Sequence, residues 1–337
     1  MRSEIRIDLA ALARNVRTLV RALDGAELWA VVKADAYGHG ARDCAPAVLD
    51  AGAGALCVAT VPEALALRDG LRDARILVLG PSSEDELANA REARLELVAA
   101  DGRIPEDLPV HVKLDTGMGR WGTSELVASG RNVVGVMTHL ATADSDPGFA
   151  REQLRRFLEA TEPLSHLTRH AANSAAALRL PEARLDAARC GIALYGLSPF
   201  GTDPADDGLE PVLSWKSELT LVKLLRTGDS TGYGRRFVAD RDTWIGIVPV
   251  GYGDGFRRDL TGTTLLVDGE PCQVVGTVSM DAVALELPGE LRTGTPVTIV
   301  GRGLLLEQHA RVAGTITYEL ACGIDSSPGR ARRVVTS

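Results

Sequence analysis

The sequence predicts a parallel β/α barrel over residues 1–212 and a mainly antiparallel β domain over residues 213–337, its first few residues free to pair with the second domain. Two patterns carry this expectation. In the first two-thirds, eight short apolar runs alternate with helix-period segments, and eight strand–helix units close naturally into a barrel. From about Pro211 onward, strand-like runs follow one another across turn signals, with no long helical pattern before residues 307–313. An open doubly wound sheet is the other architecture that strand–helix alternation allows.

The eight runs are 28–32, 55–59, 76–79, 95–99, 110–114, 133–138, 168–172 and 190–194. Between the first two, Ala41, Cys44, Ala45, Val48 and Leu49 mark one face of an amphipathic helix. Phe149, Leu154, Phe157 and Leu158 mark a second such face, and Pro62-Glu63 reads as a first helical turn. In the second domain, runs at 219–225, 244–250, 264–267, 272–275, 283–287 and 297–300 are separated by Asp268-Gly269, Pro288-Gly289 and Gly301-Arg302-Gly303, which are turn chemistry.

Composition narrows the class of function. A net charge of −8 with scattered basic residues argues against a nucleic-acid stripe and suits a protein that handles small molecules. No apolar run is long enough to span a bilayer, and no apolar h-region follows the charged N-terminus. Five cysteines without a C-x-x-C pair read as thiols in a reducing compartment, so a cytoplasmic location is expected.

Polar residues gather at the carboxyl ends of the barrel runs, the face that carries chemistry in this architecture. Lys33 follows the first run, Lys113 and Asp115 the fifth, His139 the sixth, Asn173-Ser174 the seventh, and Tyr195 closes the eighth. Desolvation lowers a lysine's pKa and frees the amine to attack a carbonyl and form a Schiff base. A sugar-phosphate aldolase uses the same device, so Lys33 alone leaves the reaction open. Residues 117–122, Gly-Met-Gly-Arg-Trp-Gly, match G-x-G-x-x-G literally, but the next strand ends in Thr138-His139 rather than an acid, and Arg120 would obstruct a pyrophosphate.

Six segments together resemble the alanine racemase family. They are 32–40 (VKADAYGHG), 113–120 (KLDTGMGR), 170–174 (HAANS), 189–196 (RCGIALYG), 251–255 (GYGDG) and 278–281 (VSMD), in the family's order and across nearly the whole chain. The resemblance implies pyridoxal 5'-phosphate bound to Lys33, with Lys33 and Tyr252 as bases on opposite faces of the alanine Cα. It implies a phosphate site made by the Tyr37 and Ser174 hydroxyls and the N–H groups of Gly191 and Ile192. Peptide donors in a Gly-containing turn are a sound anion site. Arg189 would face the cofactor's ring nitrogen, linked to Tyr252 through His139 and held by His170. A guanidinium donates and cannot accept a proton, which favours racemisation over transamination; many other pyridoxal enzymes place a carboxylate there. Arg120 and the Met280 N–H would receive the substrate carboxylate, Lys113 could carry a carbamate that orients Arg120, and Asp281 is a supporting residue. The family further implies a homodimer in which Tyr252 and Met280 enter the partner's barrel, and D-alanine supplied for peptidoglycan. No metal is expected.

The sequence departs from some relatives at three places. Asp325-Ser326-Ser327, most closely Ser326, stands where a phosphate-contacting tyrosine is found, and Thr277 and Ser279 replace an arginine and a cysteine. A wider entrance follows, and a racemase of broader range than alanine stays open. A pyridoxal-dependent decarboxylase of the same fold would want an acid at Arg189 and a cysteine near Tyr252. A cofactor-carrier barrel would lack the β domain.

Overall fold

The computed structural model describes residues 2–126, 128 and 130–337. The chain divides into two units: Ala11–Phe200 with Pro204–Glu210, and Met1–Ala10, Gly201–Asp203 and Pro211–Ser337. After β1 (Ser3–Asp8), the first unit contains β2 (Glu27–Val31), β3 (Ala55–Val58), β4 (Ile76–Val78), β5 (Glu96–Ala99), β6 (Val110–Lys113), β7 (Val133–Met137), β8 (Thr168–His170) and β9 (Ala187–Cys190). These eight strands, β2 to β9, form a closed parallel barrel, with β9 pairing back to β2 from Glu27↔Ala187 to Ala30↔Cys190. Parallel strands covered on both sides need apolar residues on both faces. Accordingly β3, β4, β6 and β9 are buried along their whole length.

The eighth strand corrects the sequence expectation. The run 190–194 is not a strand; β9 is Ala187–Cys190, and Ile192–Tyr195 is a buried 3-10 turn. An apolar run marks burial, and a buried turn carries the same signature as a buried strand. The helices fall where the periodicity puts them, at Ala41–Asp50, Val61–Arg68 and Pro147–Thr161. Thr60 and Glu63 close a capping box around the second, and Asp146 accepts from Gly148 and Phe149 N–H at the start of the third.

The second unit is a nine-stranded, mainly antiparallel sheet. Its strands are β1, β10 (Leu213–Glu218), β11 (Leu221–Leu225), β14 (Thr243–Val248), β15 (Thr264–Val267), β16 (Glu270–Val275), β17 (Val283–Leu287), β18 (Pro296–Val300) and β19 (Arg332–Thr336); β12 (Ser230–Thr231) and β13 (Phe237–Val238) form a separate short pair. The order is β11-β14-β17-β16-β15-β18-β10-β1-β19, with β1 antiparallel to β10 and parallel to β19. Ile5 and Ile7 alternate inward from β1 and are fully buried. His309 closes one side of this core: its Nδ1 accepts from Thr263 Oγ1 at 2.8 Å while its Nε2–H donates to the Ile299 carbonyl at 2.7 Å.

Candidate active site

Lys33 leaves β2 and opens a turn unlike an ordinary helix. Ala34, Asp35, Ala36 and Tyr37 all have φ between 50° and 55°, a left-handed conformation that costs roughly 1–2 kcal/mol per non-glycine residue. Local bonds hold it. Glu63 accepts from the Ala34 N–H at 2.8 Å, Asp35 from the Ala41 N–H at 2.7 Å, and the Val32 carbonyl from the Ala36 N–H at 2.9 Å. The turn sets Tyr37 inside the barrel rim, its ring 5.2 Å from that of Tyr195.

Tyr37 there meets the chain leaving β9. A Cβ added to Gly191 would overlap Tyr37 Oη and lie 2.8 Å from its Cζ, so only glycine admits this approach. The Gly191 N–H points at Ser174 Oγ, 3.0 Å away, and the Ala193 N–H at the same atom, 3.5 Å away. Ser174 is the first residue of the helix Ser174–Arg179, and Asn173 caps it by accepting from Ala176 N–H. The Tyr37 and Ser174 hydroxyls thus both lie against the turn that begins at Gly191, where Ser174 Oγ accepts from the Gly191 and Ala193 N–H groups. Tyr195, expected at the rim, is fully buried and donates to the Val31 carbonyl at 2.9 Å. It is a wall for Tyr37 and His39 rather than a rim group.

Arg189 projects from β9 into the barrel, where it is buried and donates to imidazole nitrogens and backbone carbonyls around it. Its Nη1 meets His170 Nδ1 at 2.7 Å and the His170 carbonyl at 3.0 Å; its Nη2 meets the Thr138 carbonyl at 2.7 Å and His139 Nδ1 at 3.3 Å. Burial lowers its pKa to about 10, which leaves it charged near neutrality. Burial, then Arg189, Arg120, Lys113 and Lys33, hold His139 well below the ordinary histidine range, so His139 is a neutral imidazole.

Lys113 ends β6 and is buried; burial first, then Arg120 and Arg189, lower it to about 8. Its Nζ lies 5.6 Å from the Trp121 ring, and Arg120 lies 5.3 Å from the same ring. Among the described residues Lys113 has no ion-pair partner. Asp115 is committed elsewhere, accepting from the N–H groups of Gly117, Met118 and Gly119 at 2.9 to 3.2 Å. Those bonds wrap residues 117–119 into a loop rather than the helix start a dinucleotide site requires. The rim therefore concentrates positive charge from Lys33, Lys113, Arg120 and Arg189, a field suited to anionic ligands.

In the second unit, Tyr252 and Met280 stand on two adjoining loops. The Tyr252 N–H donates to the Ser279 carbonyl at 3.1 Å and the Gly253 N–H to the Met280 carbonyl at 2.9 Å. Buried Asp254 fixes the first loop through the Gly251 N–H at 2.9 Å and Arg2 at 3.0 Å. Asp281 pairs with Arg330 at 2.7 Å. The Tyr252 and Met280 side chains are 43% and 50% exposed, unusual for residues of that size. Sequence reasoning missed His111, Glu96 and Arg75, which extend the Arg189–His170 contact through the barrel interior. The available signal was spacing: His111 and Lys113 lie two apart on one strand and so share a face.

Four of the five cysteines are buried, and burial pushes the Cys57 and Cys190 thiols up to about 12, so neither is a thiolate. Among the described residues no group of His, Cys, Asp and Glu could hold a metal ion, and no helix is long and apolar enough to cross a membrane.

A closed parallel barrel whose strand ends present two lysines, a buried arginine and two hydroxyls at a glycine turn defines a β/α-barrel enzyme joined to a β domain. Residues 7–199 match the alanine racemase N-terminal domain and residues 212–334 the alanine racemase C-terminal domain. The chain is 41% identical to alanine racemase 1 of Bacillus subtilis, over 95% of this chain and 90% of that protein. It is 38% identical to the alanine racemase of Levilactobacillus brevis over 98% of each. The crystal structure of the biosynthetic alanine racemase from Pseudomonas aeruginosa superimposes with a TM-score of 0.93 at 36% identity, covering both chains fully. The alanine racemase of Streptomyces coelicolor gives 0.90 at 37% identity, over 100% of this chain and 98% of that one. The chain belongs to the alanine racemase family, and its reaction class is isomerisation, the interconversion of L- and D-alanine.

Proposed function

We propose that the barrel rim binds pyridoxal 5'-phosphate at Lys33 and that the chain racemises alanine with two bases, Lys33 and Tyr252, in a homodimer with composite sites. The observation that carries this reading is the cradle. The Tyr37 and Ser174 hydroxyls and the N–H groups of the Gly191-Ile192 turn fit a phosphate, and the space a Gly191 side chain would fill belongs to the Tyr37 hydroxyl. When bound, the cofactor supplies an electron sink that makes the alanine Cα–H acidic.

The chain's own groups do the rest. Arg189 faces the ring nitrogen and, having no acceptor, can only donate to it. This limits electron withdrawal and favours return of the proton to Cα. Arg120 and the Met280 N–H receive the substrate carboxylate. Lys113, with a pKa near 8, holds enough free amine near neutral pH to add CO₂ as a carbamate, and the commitment of Asp115 to its own loop leaves room for that new anion beside Arg120. Lys33 takes or returns the proton on one face of Cα and Tyr252, from a partner subunit, on the other. The exposure of Tyr252 and Met280 in the single chain supports the dimer. Five cysteines without a C-x-x-C pair support a cytoplasmic setting, where D-alanine would serve peptidoglycan synthesis.

The chain has only four lysines, Lys33, Lys113, Lys216 and Lys223, which makes the test simple. Borohydride reduction of the holoenzyme followed by peptide mapping should find the phosphopyridoxyl group on Lys33. Its recovery on Lys113 or either β-domain lysine would overturn the assignment.

A further inference from the structure

Behind Arg189 runs a line of hydrogen-bonded side chains, buried through His170 and His111 and half-buried at Glu96 and Arg75. Arg189 Nη1 meets His170 Nδ1 at 2.7 Å; His170 Nε2 meets His111 Nδ1 at 2.9 Å; His111 Nε2 meets Glu96 Oε2 at 3.0 Å; and Glu96 Oε1 meets Arg75 Nε at 2.6 Å. Along the strands the line descends from β9 and the end of β8, through β6, to the first residue of β5 and the residue before β4. It therefore joins the catalytic rim to the opposite end of the barrel.

Hydrogen-bond chemistry gives this line one direction. Arginine only donates, so His170 Nδ1 must accept and the neutral His170 ring carries its proton on Nε2. His111 Nδ1 then accepts, its Nε2 carries the proton, and that N–H requires an acceptor at its end. An ionised Glu96 is acceptor-only and meets the requirement. Both imidazoles are neutral: burial, with Arg189, His111 and Arg75 behind it, holds His170 well below the usual range, and burial outweighs the pull of Glu96 on His111. Burial alone would raise Glu96, but the bonds from His111 and Arg75 prevail and keep it ionised. The other groups against the pair are Trp29, 4.5 Å from His170 and 5.5 Å from His111, and Glu27, which lies 3.6 Å from Arg75. Space for the line is made by Gly135, where any Cβ would overlap His111 Nδ1.

We propose that Glu96 is a positioning residue for the racemase reaction, locking both histidines as Nε2–H tautomers so that His170 always offers Arg189 a lone pair. The line is not a proton wire from the site, because Arg189 cannot accept a proton at its upper end. It is a clamp on the orientation of the guanidinium. The proposal rests on the assignment of Arg189 to the cofactor's ring nitrogen.

Glu96→Gln tests it, because glutamine keeps the shape and changes the donor pattern. With its oxygen on Arg75, its amide N–H faces His111 Nε2. Both tautomers must then invert, and His170 Nδ1–H points at Arg189 Nη1–H. The alternative amide orientation sets two donors against each other at Arg75. The measurement is the histidine ¹⁵N spectrum of the holoenzyme, with kcat and KM for alanine in both directions. Expected are Nε2–H tautomers for His111 and His170 in the wild type and at least one Nδ1–H tautomer in Glu96→Gln. A misplaced catalytic group costs up to about 100-fold, so kcat should fall on the order of tenfold or more with KM within about twofold. Glu96→Asp, still acceptor-only, should keep the wild-type tautomers. Either histidine found as Nδ1–H or as imidazolium in the wild type at neutral pH overturns the proposal, and this result does not depend on the variants folding. Wild-type kcat in Glu96→Gln overturns it too. A wild-type holoenzyme that fails to racemise alanine would instead remove the reading of Arg189, since the tautomers are read without turnover.

Discussion

Adding one methyl group at Gly191 should cost the enzyme much of its hold on the cofactor. The new Cβ of Gly191→Ala would overlap Tyr37 Oη and sit 2.8 Å from Cζ and 3.2 Å from Cε2. Tyr37 has little freedom to withdraw. It is buried and packs on Tyr195, which is itself stacked on His39 at 4.5 Å and tied to the Val31 carbonyl. Overpacking of this kind costs about 1–3 kcal/mol of stability. A displaced Tyr37 also loses a hydrogen bond to a charged phosphate, worth about 1.5–3 kcal/mol, which corresponds to roughly 10- to 150-fold weaker binding. Titration of the apoprotein with pyridoxal phosphate gives the second figure, and thermal unfolding gives the first. Adding Tyr37→Phe to Gly191→Ala removes the overlapping oxygen but leaves Cζ, so stability should recover only in part. A Gly191→Ala protein that binds the cofactor as tightly as wild type would refute the cradle.

Three further outcomes follow from particular residues. Burial lowers Lys113 from 10.5 to about 8, so between those values the folded state binds fewer protons than the unfolded state, and stability rises with pH across that window. The penalty is complete below about pH 8 and amounts to at most about 3 kcal/mol; in CO₂-free buffer Lys113→Met should flatten this slope in denaturant titrations, and parallel slopes would contradict it. Ala34→Gly relieves one left-handed residue at φ 50°, so stability should hold or rise by up to about 1 kcal/mol, where the same change on an ordinary backbone would lower it. Tyr252→Phe should slow proton transfer on one face of Cα while leaving cofactor affinity within about twofold, because the ring is kept and only the acid–base group goes; equal loss of both would displace Tyr252 from its role.

How much of this was legible in the sequence depended on the physics of each element. Seven barrel strands were visible because a parallel strand buried on both faces reads as a continuous apolar run. The eighth was displaced because Ala187-Ala188-Arg189-Cys190 offers little apolar bulk while the turn that follows offers a great deal. The edge strand β19 has the polar, half-exposed residues of an edge and gave no pattern at all. The barrel places Lys33, Lys113, Ser174 and Arg189 at or beside the ends of their strands, as their segments led us to expect, and Tyr195 was misplaced with its strand. The left-handed turn at Ala34–Tyr37 is spelled in ordinary helix formers, so nothing local announces it. Arg75, Glu96 and His111 meet through the pairing of β4, β5 and β6, and His111 reaches His170 across the barrel interior, non-local facts that no window of sequence contains.

The central claim is that a proton leaves the alanine Cα and returns from either face. Incubating the holoenzyme with L-alanine in D₂O and following the Cα position by NMR and chiral separation tests it most directly. The expected result is D-alanine carrying deuterium at Cα, with deuterium also appearing in the remaining L-alanine as equilibrium is reached. Release of CO₂, formation of pyruvate, or a D-alanine pool that keeps its original Cα hydrogen throughout would contradict it.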